Sequence, residues 1–81
     1  MKSEIEGLFY VDAWLNDTRH LESTELHKSE NAAIHEGGKF FMDWADLIKS
    51  GRVSLLLYRQ LENGEAEFVR QLDESDYFET A

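Results

Sequence analysis

Hydrophobic and polar positions change their rhythm several times along the chain, and each change marks an element. Leu8-Phe9-Tyr10-Val11-Asp12-Ala13-Trp14-Leu15 is rich in aromatic and branched residues and reads as a strand. Asn16-Asp17 follows with turn chemistry. A weaker strand is expected over Arg19 to His27, where Leu21 is followed by Thr24 and Leu26.

The rhythm then becomes helical. Ser29 is a good N-cap, and Glu30 stands where the helix dipole favours negative charge. Ala33, Gly37, Phe40, Phe41, Trp44, Leu47 and Ile48 recur at the spacing of one helical face, with Glu36, Lys39, Asp43, Asp46 and Lys49 mainly outside it. Ser50-Gly51 supplies a glycine stop. Gly37-Gly38 costs helix propensity, about 1 kcal/mol per glycine, and suits a helix lying close to a sheet. The competing reading ends a strand near His35 and starts a shorter helix at Lys39; the long helix is favoured.

Two apolar-rich runs, Val53 to Leu61 and Ala66 to Leu72, flank Glu62-Asn63-Gly64-Glu65. Asn-Gly is the preferred centre of a two-residue type I′ hairpin turn. That turn predicts Leu61 opposite Ala66, Arg59 opposite Phe68, Leu57 opposite Arg70 and Leu55 opposite Leu72. The expected fold is therefore α+β in ββαββ order, an antiparallel sheet of four strands with one helix on one face. Sheet order stays open. Residues 1–81 are read as a single domain, with 1–6 and 73–81 as flexible ends.

Strand alternation divides the side chains between two faces. Val53, Leu55, Leu57, Leu61, Ala66, Phe68 and Leu72 share the face expected to meet the helix, leaving Leu56, Tyr58 and Val69 opposite. In the first strand, Phe9, Val11, Ala13 and Leu15 form one set and Leu8, Tyr10, Asp12 and Trp14 the other. One helix cannot cover both faces, so some of Tyr10, Trp14, Leu56, Tyr58 and Val69 are expected to be exposed as an interface.

Charge changes this picture. The 81 residues hold 8 basic and 17 acidic side chains, a net charge of −9, and no cysteine. Residues 1–27 hold two basic and six acidic groups, residues 28–61 five and four, and residues 62–81 one and seven. A phosphate-binding surface needs the opposite balance, so direct nucleic-acid binding is disfavoured. No apolar stretch approaches the roughly 20 residues of a membrane helix, and the absence of cysteine suits a reducing compartment. A cytoplasmic location is expected, with no membrane partner.

The search for chemistry returns little. The sequence has no cysteine nucleophile, G-x-S-x-G elbow, phosphate-cradling glycine loop or H-E-x-x-H motif. His20, His27 and His35 lack zinc spacing and read as surface histidines. No catalytic residue, metal or cofactor is expected. The partner-binding candidates are Tyr10, Trp14 and Tyr58 on the sheet, with the acids Glu62, Glu65, Glu67, Asp73, Glu74 and Asp76.

The helix start Ser29-Glu30-Asn31-Ala32-Ala33-Ile34, the Lys49-Ser50-Gly51 stop and the hairpin around Glu62-Asn63-Gly64-Glu65 resemble the build of small phage accessory proteins. That group includes acidic anti-CRISPR and anti-restriction inhibitors. The resemblance spans most of the chain, is architectural and transfers no residue role. It implies a non-enzymatic inhibitor that occupies a basic nucleic-acid-binding surface on another protein, in the host cytosol. The alternative is a homodimeric adaptor that uses the aromatic sheet face.

Overall fold

In the computed structural model, residues 7–61 and 63–77 are described. The elements run β1 (Leu8–Leu15), β2 (Arg19–Ser23), α1 (Glu30–Asp43), α2 (Ala45–Lys49), β3 (Val53–Gln60) and β4 (Ala66–Leu72), followed by a 3-10 turn at Glu74–Asp76. The four strands form one sheet in the order β2-β1-β3-β4, with every neighbouring pair antiparallel. The expected α+β build is observed.

β1 occupies the predicted span. Asn16 and Asp17 take φ of +52° and +61°, the positive pair of a type I′ turn, and the Thr18 amide donates to the Leu15 carbonyl at 3.1 Å. β2 stops at Ser23 rather than continuing regularly to His27. Its next residue, Thr24, is buried and extends the pairing by other means. The Thr24 amide donates to the Val11 carbonyl at 2.9 Å, and its hydroxyl accepts the Val11 amide at 2.9 Å. An isolated bridge between Phe9 and His27 follows.

Ser29 caps α1 as expected, its hydroxyl accepting the Ala32 amide at 3.1 Å. The stripe of Ala33, Gly37, Phe40 and Phe41 is buried against the sheet. A Cβ at Gly37 would stand 3.3 Å from Val11 Cγ1 and 2.8 Å from Tyr77 Oη, so only glycine permits this approach without a shift. The predicted single helix to Lys49 is broken at Trp44, where φ is −125° and ψ 33°. Trp44 remains against Phe40, with ring centroids 5.7 Å apart, and Leu47 and Ile48 still pack on the core. Gly51 ends α2 at φ +80°, its amide donating to Ile48 while Arg52 donates to Leu47, the two bonds of a Schellman motif.

The last hairpin departs most from expectation. Leu61 pairs with Glu65 through a 2.8 Å bond from its amide to the Glu65 carbonyl, so three residues connect the strands instead of two. Gly64 supplies the positive φ, +89°, and its amide donates to the Leu61 carbonyl. The longer connection places Arg59 opposite Glu67 and Tyr58 opposite Phe68; Ala66 faces Gln60, not Leu61. A bulge next to Leu57 then restores Leu57 opposite Arg70 and Leu55 opposite Leu72.

This shift corrects the assignment of faces. Val53, Leu55, Leu57 and Leu72 are buried in the core with Val11 and Ala13, as predicted. Phe68, expected inside, is 55% exposed, and Ala66 is also exposed. Val69, expected outside, packs against the core.

Candidate protein-binding face

Both helices lie on the side of the sheet that carries Val11, Ala13, Leu55 and Leu57. The tail also goes to that side: Tyr77 packs against Phe41 with centroids 5.4 Å apart and the rings tilted by 37°, and approaches Gly37. Among the described residues, no element covers the opposite face. The described chain is a slab 44 × 34 × 17 Å, thick enough for one sheet and one helical layer.

An aromatic row crosses the open face. Tyr10 of β1 stands directly opposite Tyr58 of β3, with rings 5.5 Å apart and 17° from parallel. Phe68 of β4 meets Tyr58 edge-on at 5.8 Å. The three-residue connection between β3 and β4 brings Phe68 into this row. Burial and the neighbouring Asp12 charge raise the pKa of both Tyr10 and Tyr58, so both phenols stay neutral at neutral pH.

Beside the row lies a polar group that the sequence reading did not single out. Asp12 lies opposite Ser23 and Trp14 opposite His20, all on the open face. The Ser23 hydroxyl donates to Asp12 Oδ1, the His20 Nε2 is 2.8 Å from Ser23 Oγ, and the Trp14 indole N–H reaches Asp12 Oδ2 at 3.4 Å. The Trp14 and His20 rings meet edge-to-face at 5.2 Å. Serine, histidine and aspartate here are not in catalytic order. The serine proton is committed to Asp12, and the serine stands between the other two; a nucleophilic triad needs the histidine in the middle. The group orients a carboxylate.

The described acids of the predicted set divide between the last hairpin and the tail turn. Glu67 lies on the helix-side face and its Oε1 is 2.8 Å from Arg59 Nη2. Asp76 Oδ1 is 2.8 Å from Arg70 Nη2, and that guanidinium lowers the Asp76 pKa. Glu65 is bonded to Asn63 in the turn, while Asp73 accepts the Ser75 amide and hydroxyl. Glu74 begins the 3-10 turn, and Glu62 lies outside the described residues. Of the predicted set, Tyr10, Trp14 and Tyr58 share the open face, while Asp73 and Asp76 meet each other in the tail turn, where the Asp73 amide donates to Asp76 Oδ2 at 2.8 Å. Phe68 and Asp12 join the open-face group. The cue for Phe68 was the loop length, and the cue for Asp12 was a lone acid in an aromatic strand.

A shallow groove of about 730 Å³ runs along the outside of α1, with Ile34, Phe41, Met42 and Tyr77 as its apolar walls. Its polar lining includes Asn31, His35, Glu36, Lys39 and Asp76. His27 Nε2 bonds Glu36 Oε1, and Lys39 Nζ lies 2.9 Å from Glu36 Oε2; both contacts lower the Glu36 pKa. Among the described residues, no group of three His, Cys, Asp or Glu is placed to hold a metal ion, and no helix is long and apolar enough to cross a membrane. Comparison with known protein families, curated proteins and solved structures gives no match.

Proposed function

We propose that this chain is a non-enzymatic protein-binding module that docks through the open face of its sheet. The observation that carries the reading is the row Tyr10–Tyr58–Phe68 on the side opposite α1, a side that no described element covers. Tyrosine, tryptophan and phenylalanine are favoured interface anchors because they bury large area at small entropic cost. The net charge of −9 favours a partner with a basic surface, which it would steer into contact. On a nucleic-acid-processing protein, a module seated in this way would inhibit by occupancy.

The acids of the last hairpin and tail support this reading less than the aromatic row does. Glu67 and Asp76 are already paired with Arg59 and Arg70, so their charges are partly offset within the molecule. The test is affinity capture from the source cells with three baits. Wild type and a Glu65→Lys/Glu67→Lys/Asp73→Lys variant should retain the same partner, and Tyr58→Ser/Phe68→Ser should lose it while keeping its circular dichroism. Loss with the charge variant alone would move the contact to the acids. Light scattering completes the test: a stable dimer abolished by Tyr58→Ser/Phe68→Ser would make the partner a second copy.

A further inference from the structure

Among the described residues, Asp12 is a buried carboxylate on the open face whose basic neighbour is a histidine, with no lysine or arginine paired to it. Strand pairing puts each strand arginine on the helix side: Arg19 opposite Leu15, Arg59 opposite Phe9 and Glu67, and Arg70 opposite Leu57. Asp12 is 9% exposed, lies between Tyr10 and Trp14 along β1, and has Leu56 as its neighbour on β3. The basic group beside it is the His20 ring, whose Nε2 is 3.6 Å from Oδ1 and 2.8 Å from Ser23 Oγ. A buried carboxylate beside aromatic side chains is stabilised by a permanent counter-charge, which lysine or arginine supplies and an imidazole does not, so the site gains from a ligand that brings one.

We propose that Asp12, framed by Tyr10, Trp14 and Tyr58, receives an arginine side chain presented by the partner protein. This rests on the open face being the docking surface. Asp12 accepts the Ser23 hydroxyl and a long bond from the Trp14 indole and has the His20 ring 3.6 Å from Oδ1; a carboxylate has roughly four acceptor positions, so capacity remains for a guanidinium. Arginine fits better than lysine for physical reasons. Its planar group stacks on tyrosine and tryptophan, forks onto a carboxylate, and sheds water more cheaply on entering a half-buried site. The Ser23–Asp12–Trp14 bonds hold the acceptor in place before the ligand arrives, which lowers the cost of binding.

The experiment uses the full chain, isotope-labelled, and three blocked tripeptides: glycine-arginine-glycine, glycine-lysine-glycine and glycine-citrulline-glycine. Citrulline keeps the shape of arginine and removes its charge. Nuclear magnetic resonance titration should move the signals of Tyr10, Asp12, Trp14 and Tyr58, with the arginine peptide binding about tenfold tighter than the citrulline peptide and lysine falling between. Asp12→Asn, which keeps an oxygen for Ser23, should abolish the preference for arginine over citrulline. Equal binding of citrulline, equal binding of lysine, or shifts confined to the acidic turn and tail would each overturn the proposal. Should the peptides fail to discriminate while Tyr58→Ser/Phe68→Ser still abolishes partner capture, the arginine assignment falls and the docking face stands. Failure of both removes both.

Discussion

Tyr77 shows how one side chain sets conditions for its neighbours. Its ring fills the space beside Gly37 and Phe41, while its hydroxyl is buried without a hydrogen-bond partner among the described residues. Burial raises its pKa far above the usual phenol range. The neutral form is therefore the folded form, and the stability it contributes is complete below the unfolded tyrosine pKa, about 10. That stability is lost as the pH rises beyond this value. Denaturant midpoints measured from neutral to strongly alkaline pH should fall at the alkaline end, and less steeply for Tyr77→Phe. At neutral pH, Tyr77→Phe should match or exceed wild type by about 1 kcal/mol, because it removes an unpaired polar atom. Gly37→Ala alone should destabilise by roughly 1–3 kcal/mol through overpacking against Oη. In the Tyr77→Phe background most of that cost should vanish, and a double-mutant cycle of chemical denaturations measures the coupling.

At the scale of elements, the boundaries of β1, the Ser29 cap and the Gly51 stop were legible because each is written in local chemistry. Asn-Asp and Ser-Gly act within a few residues of themselves. The helix break at Trp44 has no glycine or proline to announce it; only the packing of Leu47 and Ile48 accounts for the turn. The end of β2 was obscured for a different reason, since the Thr24 hydroxyl takes a place in the ladder that backbone usually fills. Thr24→Val should strand the Val11 amide and cost about 1–3 kcal/mol, and Thr24→Ser should recover most of it; both are read by urea denaturation. In β4, Asn63-Gly64 correctly signalled a hairpin but not its length. One extra residue reversed the parity of Phe68 and Val69. The structure thus expects Val69→Ser to lower stability by about 1–2 kcal/mol through lost apolar burial, while Phe68→Ser leaves the denaturation midpoint nearly unchanged. The two-residue turn expected the opposite ranking.

For the whole molecule, acidity was visible in the sequence but its arrangement was not. The aromatic candidates converge because β1 and β3 are adjacent, an order that the hydrophobic pattern left open. Glu67 and Asp76 do not join that face, because the shifted hairpin sends Glu67 toward Arg59 and the tail carries Asp76 to Arg70. Glu36 and Asp76 have lowered pKa values, so the stability they contribute is present above the unfolded carboxylate range and disappears as the pH falls through the folded values. Thermal melts should be nearly level from neutral pH to about pH 5 and decline below about pH 4. Asp76→Asn should make that acid decline shallower, and added salt should reduce the difference because the pairs are partly solvent-exposed.

The slab has a consequence for how its partner can be found. β1 contributes Val11 and Ala13 to the core and Tyr10, Asp12 and Trp14 to the open side, so the same eight residues serve both. A molecule that grips the open side clamps the strand on which the interior is built, and unfolding must first release it. Occupancy will therefore register as resistance to melting, growing with the logarithm of ligand concentration above the dissociation constant. The interior of the protein can report a visitor on its surface, and a panel of arginine-bearing sequences can be ranked by heat alone.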